Sequence, residues 1–279
     1  VTNGNDLRGL LADGAVLAPG VWDPLSALLA REAGFGAVFV SGFAVAATLL
    51  GEPDIGLLTQ SEVADVARRV CAAVPDTAVI VDADTGYGND RAATRTTELW
   101  EQAGAAGLFL EDQAFPKRCG HMTGKEIIEA GDWLTKLRAV VDARTHLHVT
   151  ARTDARAVVD LDEAIERGRM AADLGVDAVF VEAPQSVAEY EQIGAALADR
   201  GSVLVANMVE GGHSPLLSRD ELAELGFGLV INPLTGLLGM VPALRDLFGE
   251  LQRTGTARDQ VGRMVEFSDM TSIVGFDHT

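Results

Sequence analysis

The sequence predicts an α/β protein built as a closed (β/α)8 barrel of the TIM type. Three observations carry this expectation. Eight short runs are nearly continuous in apolar and β-branched residues, as strands buried on both faces require. Longer stretches with helical periodicity alternate with them, which implies a parallel sheet with crossover helices. No linker or low-complexity segment interrupts the series, so the whole chain, 1–279, reads as one domain. An open doubly wound sheet is the runner-up, and eight repeats without a change of pattern favour closure.

The strand segments are 15–19, 37–41, 78–84, 107–113, 148–154, 178–184, 203–208 and 229–234. Between them, PLSALLAREAG, SEVADVARRVCAAV, RAATRTTELWEQAG, DWLTKLRAVVDAR, LDEAIERGRMAADLG, SVAEYEQIGAALADRG and SRDELAELG have helical spacing, and many end in Gly, the usual helix stop. Two connections, 42–60 and 114–131, are longer than the rest and follow strand C-terminal ends, the catalytic face of such barrels. The segment 243–279 is a helical extension of the same domain. Its run RMVEFSDMTSIVGF is apolar enough to need a partner surface.

Lys+Arg number 22 and Asp+Glu 41, a formal net charge of −19. That charge repels phosphate backbones, so neither nucleic acid nor anionic membrane is an expected partner. Two cysteines exclude a disulfide scaffold. No apolar run approaches the roughly 20 residues that span a bilayer, and the first residues lack a signal-peptide pattern. A cytoplasmic enzyme acting on a small molecule is the expectation.

The polar residues cluster at strand ends: Ser41, Asp82, Asp84, Glu111, Asp112, Arg152, Asp154, Glu182, Asn207 and Asn232. A barrel brings these ends to one mouth. Helix capping is the competing role for an Asp at a βα junction. Four carboxylate-bearing segments together favour a site, and so many buried carboxylates need a cation. Oxygen donors suit Mg²⁺ or Mn²⁺. Asp82 and Asp84, two apart in a strand, are expected on the same side.

Cys119 lies in PKRCGHM among Lys117, Arg118 and His121, cationic neighbours that can lower a thiol pKa. An incidental loop cysteine is the competing reading. Cys71 falls on the apolar face of its helix and is expected to be buried and inert. The glycine-rich DTGYGN (84–89) reads as a turn beside the metal site rather than a phosphate loop. His146, His148 and His278 have no ligand-like spacing. His213 and Ser214 follow the seventh strand, and Trp22 the first.

These segments resemble the isocitrate lyase / phosphoenolpyruvate mutase superfamily over about residues 7–260. The matches are PGVWDPLSALLAREAGF, VSGFAVAATLLGEPDIG, VDADTGYGN, GLFLEDQAFPKRCGHMTGK, ARTDAR, FVEAP, ANMVEGGHSP and NPLTG. The resemblance implies a Mg²⁺-bound barrel in a homotetramer whose last helix packs on a neighbouring subunit. It implies that Asp82 and Asp84 lie at the metal, with Asp54, Glu111 and Glu182 in its shell. It places a 2-oxo-carboxylate or enolate on Ser41, Gly42 and Phe43, and a substrate carboxylate on Arg152. Cys119 matches the proton-transfer residue of the lyases, with His121 and Glu111 in the catalytic set beside it and Arg152. Asn207, Ser214 and Trp22 would contact the substrate's other end.

The implied chemistry is cleavage of a C2–C3 bond in a substituted malate or related diacid, releasing a 2-oxo acid. Oxaloacetate-type hydrolysis belongs to the same reading. Phosphoenolpyruvate mutases carry an Asn-bearing loop where this chain has KRCGH, which disfavours them. NMVEGG resembles both dimethylmalate lyases and carboxyphosphonoenolpyruvate mutases, so a phosphonomutase remains the alternative.

Overall fold

The computed structural model describes residues 4–120 and 124–276. All eight expected strands form: β1 (Val16–Val21), β2 (Ala37–Val40), β3 (Ala78–Asp82), β4 (Gly107–Glu111), β5 (His148–Thr153), β6 (Ala178–Val181), β7 (Val203–Asn207) and β8 (Phe227–Asn232). They pair in parallel in sequence order, and β8 pairs with β1 to close the barrel. Several strands stop before the predicted ends. Asp84 and Ala183 adopt φ of 44° and 55°, a left-handed conformation that breaks the ladder just past β3 and β6.

The helices are α1 (Gly4–Asp13), α2 (Pro24–Glu32), α3 (Gly42–Val45), α4 (Gln60–Ala73), α5 (Asp90–Ala103), α6 (Ala130–Ala143), α7 (Ala155–Val158), α8 (Leu161–Asp173), α9 (Val187–Leu197), α10 (Arg219–Glu224), α11 (Thr235–Thr254) and α12 (Phe267–Ile273). Reciprocal capping boxes start α4 (Thr59 with Glu62) and α10 (Ser218 with Glu221). The long connection after β2 is helical rather than open over 42–50, because Ser41 caps α3 and one π-helical turn continues it to Leu50.

Two apolar shells surround the strands. Outside, Trp100, Trp133 and Tyr190 are fully buried between sheet and helices. Inside, small Ala37, Ala78 and Ala178 sit at strand starts, and Leu7 of α1 closes that end. Higher in the barrel, Phe39, Phe109 and Phe180 from alternate strands form an aromatic layer, with ring centroids 4.9 and 5.8 Å apart. They are the floor on which the mouth is built.

Below that floor, Asp177 pairs with Arg8 and Arg144 and accepts from the Val149 N–H. His148 is buried beside them, and loss of solvent pushes its imidazole from 6.5 down to about 4, against the pull of Asp177. A depressed folded pKa means the neutral ring's contribution is complete above about pH 6.5 and is lost as pH falls toward 4. Urea midpoints should therefore decline through that window in the wild type and decline less in His148→Gln. Identical pH profiles would contradict this assignment.

Candidate active site

The strand C-termini surround a cavity lined among others by Ser41, Asp54, Asp82, Cys119, Arg152 and Glu182. Its floor is the Phe39–Phe109–Phe180 layer. One wall is apolar, made by Phe43, Val209, Pro233 and Leu234, and Asn207 stands at the rim. The lining thus combines a few polar groups with hydrocarbon, the usual composition of a small-molecule site.

Arg152, from β5, projects over the Phe180 ring, with its guanidinium carbon 5.5 Å from the centroid. It pairs with Glu111 at 3.2 Å, Asp154 at 3.0 Å and Glu182 at 3.4 Å. Burial opposes its charge, but those three carboxylates overcome this and hold it charged. Asp154 is in turn fixed by Asp112, which accepts from the Asp154 N–H at 2.8 Å and from the Thr153 hydroxyl at 2.6 Å. Arg167 closes this network on Asp112. Asn207 donates to both Glu182 oxygens at 3.3 and 3.4 Å, leaving its amide oxygen without a partner.

The second acidic group is Asp54, Asp82 and Asp84. The strand ends at Asp82, so simple alternation does not bring Asp82 and Asp84 together. The left-handed turn at Asp84 does so instead, with its N–H donating to Asp82 Oδ1 at 3.0 Å. Lys117, 3% exposed, inserts its ammonium between Asp54 and Asp84, at 2.7 Å from the latter. Burial works against that charge, but Asp84, Asp54 and Glu111 raise the Lys117 pKa well above its ordinary value. Lys117, expected as a cationic neighbour of Cys119, thus pairs with two carboxylates. Burial, reinforced by Asp84, pushes the Asp82 carboxyl up to about 6. Glu111 is pushed well above its ordinary range, chiefly by burial.

These donors fit a hard divalent cation. Asp82 lines the cavity, and Glu111 Oε1 has no hydrogen-bond partner. A side chain on Gly42 would start 2.9 Å from Asp82 Oδ2 and 3.5 Å from Asp84 Oδ1, so glycine alone leaves that space open. No group of three or more acidic, His or Cys side chains among the described residues is arranged to hold a metal directly. A cation with one or two carboxylate ligands and retained waters, the habit of Mg²⁺, matches this set.

Cys119 lines the cavity, on the long connection after β4. Gly120 is pressed against the Arg152–Glu182 pair, where a Cβ would lie 2.6 Å from both Arg152 Nη2 and Glu182 Cδ. Gln113 holds the outgoing arm through Arg118, accepting from its N–H and donating to its carbonyl. Cys71 is buried, and desolvation pushes its thiol up to about 12. His121 lies outside the described residues.

Ser41, Phe43, Asp54, Asp82, Cys119, Arg152, Glu182 and Asn207 thus meet at one cavity. Asp84 and Glu111 stand one layer behind, on Lys117 and Arg152. Trp22 is not among the lining residues; it packs on Gly236 in one apolar cluster with Phe43. Ser214 is buried beside Tyr190, also off the lining. Asp112 and Asp154 enter the sequence reading only as strand-end polar residues and Lys117 only as a neighbour of Cys119, while Lys125 does not enter it.

Gly42→Ala should weaken Mg²⁺ binding by roughly 10–100-fold, the usual cost of disturbing the shell around a metal ligand. Titration calorimetry measures this, and unchanged affinity would remove the metal from this corner of the cavity.

A family model described as phosphoenolpyruvate phosphomutase matches residues 7–251. The chain is 45% identical over 269 residues to the chloroplastic carboxyvinyl-carboxyphosphonate phosphorylmutase of Arabidopsis thaliana, covering 95% of this chain and 78% of the relative. A crystal structure of 2,3-dimethylmalate lyase superposes with a TM-score of 0.94 at 36% identity, covering 99% and 92% of the two chains. Phosphonopyruvate hydrolase in complex with oxalate and Mg²⁺ superposes with a TM-score of 0.86 at 28% identity, covering 99% and 95%.

Proposed function

Because the chain belongs to the phosphoenolpyruvate phosphomutase family, we propose that it is a Mg²⁺-dependent carbon–carbon lyase that splits a substituted malate or related diacid into a 2-oxo acid and a second carboxylate. The observation that carries this reading is the thiol of Cys119 at a cavity that also holds Arg152 and Asp82. The dimethylmalate lyase whose fold coincides with this one supports it.

Arg152 binds the substrate carboxylate and stabilises charge that develops beside it. Ser41 and the backbone of Gly42 and Phe43 hold the end that becomes the 2-oxo acid. A site carboxylate takes the hydroxyl proton, the C2–C3 bond breaks, and its electron pair passes to C3 as an enolate-like carbanion. Cys119 donates a proton to C3 as general acid. The segment carrying Cys119 covers the cavity and excludes water while the carbanion lasts. When bound, Mg²⁺ (or Mn²⁺) supplies Lewis-acid stabilisation of the same charge.

The wall of Phe43, Val209, Pro233 and Leu234 favours an alkyl substituent on the diacid over a further carboxylate. Each added methylene in such a pocket is worth about 1–3 kcal/mol of discrimination. A panel of alkylmalates, read by 2-oxo acid release, tests the reading. A phosphonomutase making or breaking a P–C bond is the second reading, favoured by the 45% identity to the phosphorylmutase. Phosphorus NMR on a phosphonate substrate, with no turnover of the panel, would establish it.

Cys119→Ser replaces the thiol with a hydroxyl, similar in size but a far weaker acid. Turnover should fall by about 10²–10⁴, the usual share of general acid–base catalysis. Binding of a 2-oxo acid should change little, and wild-type turnover would reduce Cys119 to a loop residue.

The assembly proposed is a homotetramer in the cytoplasm, built through the C-terminal extension. Among residues of α11 only Leu237 is buried, while Phe248, Phe267 and Phe276 are exposed. No helix among the described residues is long and apolar enough to cross a membrane. Light scattering should show four subunits. A stable, active monomer lacking 262–279 would exclude the exchange of this extension.

A further inference from the structure

Lys125 is a charge buried with no part in the chemistry described so far. Its side chain is 2% exposed, and its ammonium meets Asp154 Oδ1 at 2.7 Å and donates to the Gly120 carbonyl. Asp154 is fully buried, and the same Oδ1 accepts from Arg152 Nη2 at 3.1 Å. One carboxylate oxygen therefore joins the lysine on the return arm of the long connection to the arginine in the cavity. The Gly120 backbone, in contact with Arg152 and Glu182, lies between them. Cys119 is the residue before that peptide.

Taking an ammonium out of water costs several kcal/mol unless good partners recover it, so packing alone gives no reason for a lysine here. A methionine fills the same length of space. What the lysine adds is direction: its protons reach an acidic group below and a backbone carbonyl above. It also supplies the second cation that the three carboxylates around Arg152 call for. Without it, Asp154 keeps one cation and the Gly120 carbonyl loses its buried donor.

We propose that Lys125 is a positioning residue, clamping the Gly120 carbonyl onto Asp154 so that Cys119 is held at the cavity beside Arg152. Lys125 touches neither substrate nor metal in this account. It acts through Gly120 on Cys119 and through Asp154 on Arg152. The kinetic consequence rests on the reading of Cys119 as proton donor, whereas the positional consequence does not.

The test uses the full chain with Lys125→Met, which keeps length and volume, and Lys125→Arg, which keeps charge. The rate of Cys119 alkylation by iodoacetamide, mapped by peptide mass, reports where the thiol is held independently of any substrate. Buried Cys71 is the internal control. Lys125→Met should raise the Cys119 rate about tenfold, the factor for roughly 1.4 kcal/mol of lost clamping. Lys125→Arg should return it to near the wild-type value. With an active alkylmalate, kcat should fall about 10²-fold in Lys125→Met while KM stays within a few-fold, the mark of an interaction lost from the transition state. A changed alkylation rate with unchanged kcat would support the clamp and count against Cys119 as the acid. Alkylation equal in wild type and Lys125→Met overturns the clamp. Should Lys125→Met not fold, Lys125→Gln, which retains a donor without the charge, is read in the same way. Failure of both to fold also overturns the proposal, since the lysine would then serve the fold as a whole.

Discussion

A guanidinium withdrawn from water needs acceptors on every side, and Arg152 finds them in Glu111, Asp154 and Glu182 around its perimeter and in the Phe180 ring beneath it. The rest of the mouth follows from that requirement. Asp154 must be held, so Asp112 accepts from its N–H, and the Thr153 hydroxyl and Arg167 hold Asp112 in turn. Glu182 must be held, so Asn207 donates to it. The Cys119 segment then closes against the finished cluster through Gly120. Four strands, β4 to β7, are tied together by one charge at the end where chemistry takes place.

Most of this architecture is legible in the sequence because its signals are local. Buried parallel strands are continuous apolar runs, and eight such runs alternating with helices leave few topologies. A polar residue terminating seven of the eight runs marks the mouth without any knowledge of distances. The juxtaposition of Asp82 with Asp84 was also anticipated, but its cause was not. Alternation along a strand fails once the strand ends, and the pair is made by a left-handed residue at Asp84. Such conformations cost about 1–3 kcal/mol and persist only where surrounding contacts enforce them. Here the Lys117 ion pair and the Asp82 hydrogen bond do so. The equivalent break at Ala183 follows Glu182, so two of the strand ends that carry site carboxylates are irregular.

The lysines were harder to read. In sequence Lys117 and Lys125 flank Cys119, and only Lys117 is read there, as a neighbour of the thiol. Only the fold shows that each reaches a different acidic group and that both are buried. Long-range electrostatic pairing has no periodicity, so nothing in the spacing of Lys125 points to Asp154. Trp22 and Ser214 show the opposite limit. They follow strand ends, yet Trp22 packs on Gly236 and Ser214 lies beside Tyr190, and neither lines the cavity. Position along a strand selects the end of the barrel; side-chain direction selects the layer.

In the proposed reaction a C–C bond breaks in the cavity and a carbanion is protonated there by a thiol. The most direct measurement is turnover of a 2,3-dialkylmalate in D2O, with deuterium in the released carboxylate read by proton NMR and mass spectrometry. One deuterium is expected at the former C3, on a single face, because the thiol of Cys119 exchanges with solvent and delivers from one side. Release of product with deuterium scattered over both faces, or no cleavage of any alkylmalate, would contradict it.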